Sequence, residues 1–365
     1  MEIKEQNPAW LNESHPNFLR WKRARDLSLA RGRFVESIIN QKVKTKNLSV
    51  LDLGSGEGGT AKVFSENNFV VSFDLSLVRL QRQKTTDIPA KGIPAEEVVL
   101  KYEKTSHRAK SRWKFIKKFS SSSPLRLTYV NFRSGSEEVE STTENSELSF
   151  RHFDPDLSGE KSESHMGEDF SLEDSIEMTK PELVNGSALQ LPFLNQSFDL
   201  IIIQDVIEHL SEVTNFYIEI ERVLKPNGII YLSTPNKFSI FNFISDPHFG
   251  LPIISTLKRE SIKKYFLKYF RKDDYNRSDI AQLLSLKDIK NIFQNDFELS
   301  LQSKFSVQEL FKGNKGIVWS GFHLKLISFC KSLKIDWFIS KIANDKFGIV
   351  NKYFTPTFYF VLSKK

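Results

Sequence analysis

Apolar positions in this chain fall into short continuous runs, separated by stretches whose apolar residues recur at helical spacing. That rhythm predicts strands buried on both faces, alternating with helices. Residues 48–53 predict a strand that runs into a glycine-rich turn, residues 59–67 carry helix formers, and residues 69–74 predict a second strand. Strand, helix and strand within about thirty residues is a βαβ unit, hence a parallel sheet with a right-handed crossover. The rhythm resumes near Leu183. Residues 198–203 predict a buried strand, 209–224 an amphipathic helix closed by Pro226-Asn227-Gly228, and 228–233 another strand. Residues 286–294 predict a helix, 297–301 a strand, and 357–362 alternate like a last strand. The fold class is therefore α/β.

The remaining segments break the rhythm. Residues 1–45 predict helices anchored by Trp10, Phe18, Leu19 and Trp21. Residues 46–100 and 181–235 are the two halves of the core. Between them, residues 101–133 have a local charge balance of +9 and residues 134–180 one of −11. The acidic half is rich in Ser and Thr and poor in apolar residues, so it is expected to be disordered. The basic half holds Trp113, Phe115, Ile116 and Phe119, which suit an amphipathic helix. Contact with nucleic acid or phospholipid is one use for such a stretch, but a solvated arm neutralised by its acidic neighbour is favoured. No nucleic-acid partner is expected. Residues 236–285, rich in Phe, Pro and Lys up to about 275, are expected to cap the carboxyl edge of the sheet, and 286–365 to complete the core.

Composition narrows the class. The chain has 365 residues, 39% of them apolar and 27% charged, enough for a sizeable core. Its 31 phenylalanines against 3 methionines promise an aromatic core. A net charge of +7 permits an acidic or membrane-surface partner without requiring one. One cysteine, Cys330, excludes an intrachain disulfide framework. No secretory leader and no run of about 18 apolar residues is visible, so a soluble, cytoplasmic protein is expected.

The chemistry starts at the turn Asp52-Leu53-Gly54-Ser55-Gly56-Glu57-Gly58-Gly59. Gly54 and Gly56 allow a tight turn and a close approach of backbone to ligand. Asp74 ends the next strand, where a carboxylate can accept both hydroxyls of a ribose. A nucleoside ligand follows, but the spacing 54, 56, 59 also satisfies the dinucleotide pattern. Asp52 favours a cationic ligand, since an anion there would repel a pyrophosphate. At this point the sequence resembles the class I S-adenosylmethionine-dependent methyltransferases, whose first motif has the form D-x-G-x-G-x-G. Asp52, Gly54, Gly56 and Gly58 match it position by position. Residues 185–193 look like that family's adenine-contacting segment, 198–210 like its fourth strand and turn, and 221–228 like its link to the fifth strand.

The resemblance implies a Rossmann-like seven-stranded sheet, mostly parallel with an antiparallel last strand and with helices on both faces. It also implies S-adenosyl-L-methionine as cofactor, held by Asp52, Gly54, Ser55, Gly56, Gly58, Asp74, Leu75, Ser187, Ala188, Leu189, Gln204 and Asp205. Ser187 stands where the family usually has an acid, and its oxygen accepts a weaker hydrogen bond. The long insertion after Asp74 is a second departure, tolerable in a surface loop. A nicotinamide-dependent oxidoreductase and a non-catalytic nucleoside-binding scaffold stay open as alternatives.

Methyl transfer is an in-line displacement in which positioning does most of the work, with a base needed only for an acceptor of high pKa. Candidate bases are His209 and, in the cap, His248. Asn236, after the fifth strand, is expected to hydrogen-bond the acceptor. Asp205, Glu208 and His209, at i, i+3 and i+4, would share one face of a helical turn. This is similar to the Glu-x-x-Glu-His metal site of some O-methyltransferases, but in many relatives the acids serve as turn acceptors, and no metal is expected. The acceptor classes that suit the cap by analogy are a small molecule, a saccharide or a lipid-linked molecule. Residues 322–329 and 337–339 form a basic, aromatic helix pattern, expected to pack on the sheet, with a membrane surface as the alternative.

Overall fold

Each apolar run becomes a strand of one eight-stranded sheet in a computed structural model that describes residues 13–14, 18–84, 127–128, 180–275, 277, 280–314, 316–317 and 321–365. The strands are β1 (Ser49–Leu53), β2 (Phe69–Asp74), β3 (Leu127–Thr128), β4 (Glu182–Asn185), β5 (Phe198–Gln204), β6 (Leu224–Pro235), β7 (Phe297–Leu301) and β8 (Thr357–Lys364). Their order is β3-β4-β2-β1-β5-β6-β8-β7, parallel except for β8, which runs antiparallel to both β6 and β7. Seven of them are the strands expected. The eighth, β3, lies inside the charged segment 101–180 and pairs two residues with β4. A two-residue edge strand leaves no periodicity to detect. The expected disorder of 134–180, the amphipathic helix near 113–119 and the Trp10 anchor lie outside the described residues.

Two apolar layers flank the sheet. Helix α1 (Phe18–Asp26) leads into α2 (Ser28–Ile39), which with α3 (Gly59–Ser65) sets Phe34, Ile38 and Phe64 against Val50, Leu200 and Tyr231 on one face. Helix α4 (Leu77–Lys84) follows β2. On the other face, α5 (Val213–Val223) and the helix Leu286–Phe293 set Phe216, Ile220 and Phe293 against Leu51, Ile201 and Phe360. The latter helix starts sharply because Ser285 and Asp288 form a capping box. Helices α2 and α3 touch through backbone: a Cβ on Gly59 would lie 2.3 Å from the Ser28 carbonyl carbon, and one on Gly32 would lie 2.8 Å from the Gly59 oxygen. Only glycine allows that approach.

Two boundaries differ from the sequence pattern. The helix expected from 209 starts at Val213, because Ile207–His209 is a single tight turn and Leu210 is extended. Arg259 from the cap donates to the carbonyls of Glu208 and Leu210, both at 3.2 Å, so these acceptors are taken outside the helix. Strand β6 starts at Leu224, four residues early, by pairing with Phe198 across a register shift.

The cap has its own small core of Phe249, Ile254, Ile262, Leu267 and Ile280. Of the cap residues Phe238, Phe241, Phe243 and Phe249, only Phe249 is buried, while Phe238 and Phe243 are exposed. In the helix Ile240–Ile244, Asn242 points inward and bonds the carbonyls of Asn236 and Pro356. Ile240, Phe243 and Ile244 then share the outer face. The C-terminal pattern is also corrected: helix Ile335–Ile342 buries no side chain. The sheet face next to β8 is already covered by the helix Ser303–Lys312, whose Phe305 packs into the α2 layer. Among the described residues, no helix is long and apolar enough to cross a membrane.

Candidate functional site

Strand order reverses around β1, which connects forward to β2 on one side while β5 pairs on the other, so a crevice opens outside the carboxyl ends of these strands. The glycine turn fills its floor. Gly54, Gly56 and Gly58 have φ of 72°, 55° and 73°, and Gly54 and Ser55 donate to the Phe73 carbonyl at 2.7 and 3.1 Å. A Cβ on Gly54 would lie 2.4 Å from Val206, whereas one on Gly56 would meet nothing nearer than 3.7 Å. Gly54 is thus required by packing, whereas a Cβ on Gly56 would make only ordinary contact with the end of the Arg79 side chain. Gln83 braces the turn from α4, donating to Ser55 Oγ at 3.0 Å and the Gly56 carbonyl at 2.8 Å while accepting from Ser72. Nothing in the sequence marked Gln83, since a lone glutamine on an amphipathic helix has no signature.

Asp74 sits where expected. One carboxylate oxygen accepts from Gly56 N–H and the other from Ser76 N–H, both at 2.8 Å. Each oxygen has a second lone pair, so two hydroxyl donors can still be received. Leu75 beside it is 72% exposed. Asn185, ending β4, donates to the carbonyls of Asp74 and Leu75 and so ties this turn to the segment holding Ser187, Ala188 and Leu189. The Ser187 hydroxyl accepts from Leu189 N–H at 3.3 Å, while Ala188 and Leu189 pack against the core.

Asp52 lies on the α3 face of β1, fully buried, and its Oδ2 has no hydrogen-bond partner. Burial pushes its carboxyl up to about 7; Ala61 N–H opposes this, Asp74 adds to it and Arg31 reduces it. The sign is definite. Between the ordinary carboxyl range and pH 7, the folded state holds a proton that the unfolded chain has released, so stability falls as pH rises through this window. Asp52→Asn should therefore gain on the natural chain above pH 5, by about 2–4 kcal/mol at pH 8. Urea midpoints at pH 5 and pH 8 check this, and an equal difference at both would sink it.

The acids and imidazoles after β5 are arranged differently from the expected helical face. Asp205 has φ 53° and precedes the tight turn, so it does not share a face with Glu208 and His209. Its carboxylate accepts from Arg31 of α2 at 2.8 Å and Ser233 at 3.5 Å. Gln204 before it donates to Thr60 at 2.7 Å, toward α3. The third member of the cluster comes from the cap. His248 Nε2 lies 3.8 Å from Glu208 Oε1, its ring centroid is 5.0 Å from that of His209, and one ligand atom from each of the three residues falls within 4.8 Å of the others. Glu208 is buried, with Oε2 accepting from Thr234 at 3.0 Å and Oε1 lacking a hydrogen-bond partner. Burial, and then the charge of Asp205, holds its carboxyl well above the usual range. His248 is set in place by Asp246, which accepts from the backbone N–H groups of His248 and Phe249 at 2.8 and 2.9 Å.

Asn236 is corrected. Fully buried, it donates to the carbonyls of Asn351, Lys352 and Thr355 and accepts from Phe238 N–H, so it staples the C-terminal turn to the cap and offers nothing to an acceptor. Asn is common in both roles, and local sequence does not separate them.

Residues 163–232 match the model of a methyltransferase domain family. A curated protein of Mycolicibacterium smegmatis, named "Probable S-adenosylmethionine-dependent methyltransferase", is 36% identical over 58 residues. That stretch covers 16% of this chain and 23% of the relative, so the likeness spans under a quarter of the relative's length. A solved S-adenosylmethionine-dependent methyltransferase from Mesorhizobium loti aligns over 90% of this chain and 96% of its own, at 10% identity and TM-score 0.41. One from Aquifex aeolicus aligns over 66% and 78%, at 12% identity and TM-score 0.32.

Proposed function

We propose that this chain, whose residues 163–232 match a methyltransferase domain family, transfers a methyl group from S-adenosylmethionine to an oxygen or nitrogen of a small-molecule, saccharide or lipid-linked acceptor. The observation behind this is the meeting of two sites at one sheet edge: the Gly54–Gly58 turn with Asp74 on β1 and β2, and the His209–His248 pair beside β5. The residues suit the donor. The glycine turn exposes backbone without side chains, Asp74 keeps lone pairs for ribose hydroxyls, and Ser187 to Leu189 flank the crevice for the adenine. When bound, the donor supplies an electrophilic methyl on a sulfonium.

The protein's own part is positioning. The backbone of the turn, locked to Phe73 and braced by Gln83, fixes where a nucleoside can rest. His248, brought from the cap with its Nε2 3.8 Å from Glu208 Oε1, is the group able to accept an acceptor's proton. His209 packs edge-on against the His248 ring and restricts its tilt. The cap encloses this pair from above the carboxyl edge and limits water around the acceptor.

A second version is favoured by one fact: Glu208, His209 and His248 offer a carboxylate and two imidazoles to a single point. Such a mixed set suits a divalent cation, which would orient an acceptor hydroxyl directly. Calorimetric titration with S-adenosylhomocysteine and with NAD tests the donor; binding of NAD alone would replace the proposal with an oxidoreductase. Binding of neither would favour a scaffold. Labelled-methyl transfer to fractionated cell extract, before and after dialysis against a chelator, then tests the acceptor chemistry. Activity that survives dialysis assigns the step to His248 without metal.

A further inference from the structure

We propose that the hairpin formed by helices Gly321–Ser332 and Ile335–Ile342 docks this protein onto an anionic lipid bilayer. The second helix is apolar yet buries none of its side chains. Ile335, Trp337, Phe338 and Ile342 are 37–67% exposed, and Phe329 and Leu333 at the end of the first helix are 59% and 53% exposed. Six large apolar residues within fourteen positions form a projecting surface, not a scatter of single side chains, and such surfaces mark interaction sites.

The occupant follows from the charges between them. Lys325, Lys331, Lys334 and Lys341 stand exposed along the hairpin, against Asp336 as its one acid. Lysines on long stems keep their charge at the level of head groups while the apolar residues enter the acyl boundary. Lys341 lies over the Trp337 ring at 5.0 Å, an amphipathic pairing suited to that interface. A second copy of the chain fits worse, because a two-fold interface would set these lysines against themselves. The helices are too short to span a bilayer, so the contact is peripheral.

Sedimentation of the full-length chain with vesicles decides the matter. It should co-sediment with phosphatidylglycerol-containing vesicles, fail to do so with phosphatidylcholine alone, and lose binding as salt is raised. Trp337→Glu with Phe338→Glu should cut vesicle binding about tenfold or more, and Lys331→Glu with Lys334→Glu should do the same without touching the apolar residues. Calorimetry with S-adenosylhomocysteine and circular dichroism check that each variant is folded. Equal binding by folded variants overturns the proposal, as does absence of binding to either vesicle. A dimer in sedimentation velocity that Trp337→Glu abolishes, without vesicle binding, overturns it in favour of self-association.

Discussion

Replacing His248 by alanine should lower turnover about a hundredfold or more while leaving S-adenosylhomocysteine affinity nearly unchanged. The two effects separate because the residue comes from the cap, held by Asp246 and set against Glu208, whereas the nucleoside cradle is built from β1, β2 and their turns. Single-turnover rates and calorimetry on the same preparation make the comparison. Parallel loss of donor binding and rate would make His248 part of the scaffold, and full activity would remove it from the mechanism. Glu208→Gln gives a control within the same cluster. It keeps the volume and the Thr234 contact but cannot carry charge, so loss of the acidic limb of the pH–rate profile would tie the proton to this pair.

The second large effect lies at Asp74. Asp74→Ala should weaken S-adenosylhomocysteine binding by about 1.5–3 kcal/mol, the range for losing charge-assisted hydrogen bonds. The same change strips acceptors from Gly56 N–H and Ser76 N–H, so part of the loss would come through the turn itself. Asp74→Asn separates the two, because its amide oxygen still accepts one backbone donor while the charge is gone. If binding by the alanine variant matched that of the natural chain, with the fold intact by circular dichroism, the carboxylate would have no part in holding the ribose.

Much of the fold was legible because burial on both faces leaves a plain record. β2 falls on the six residues its apolar run marks, and β1 and β5 differ by a single terminal residue. The donor half of the site was legible for a related reason: glycine at positive φ and an acid at a strand end are local demands written into local sequence. The acceptor half was not. Asp205, Glu208 and His209 have helical spacing, but tertiary contacts from Arg31 and Arg259 hold them in an αL residue and a tight turn, so spacing misled. The true third member, His248, stands about forty residues away in a segment with no periodic pattern, and only the folded cap brings it in. Asn236 failed differently, since a buried side-chain staple and a substrate contact use the same amide. The C-terminal helix was misjudged because an apolar stripe was assumed to find a sheet face, and Ser303–Lys312 had already taken it.

The glycine contact between α2 and α3 also decides where the molecule can breathe. With the Gly32 and Gly59 backbones this close, the N-terminal helix and the helix that opens at the nucleotide turn pack as one close-fitting block, joined at the same level by Val63. Arg31, one residue from that contact, pins the same block to Asp205 at the end of β5. The other wall of the crevice, the cap, is attached through Asn236 and Arg259 and keeps a separate small core. Were the crevice to widen for an acceptor, the imidazole of His248 would therefore move with the cap and away from Glu208, while the donor cradle kept its shape.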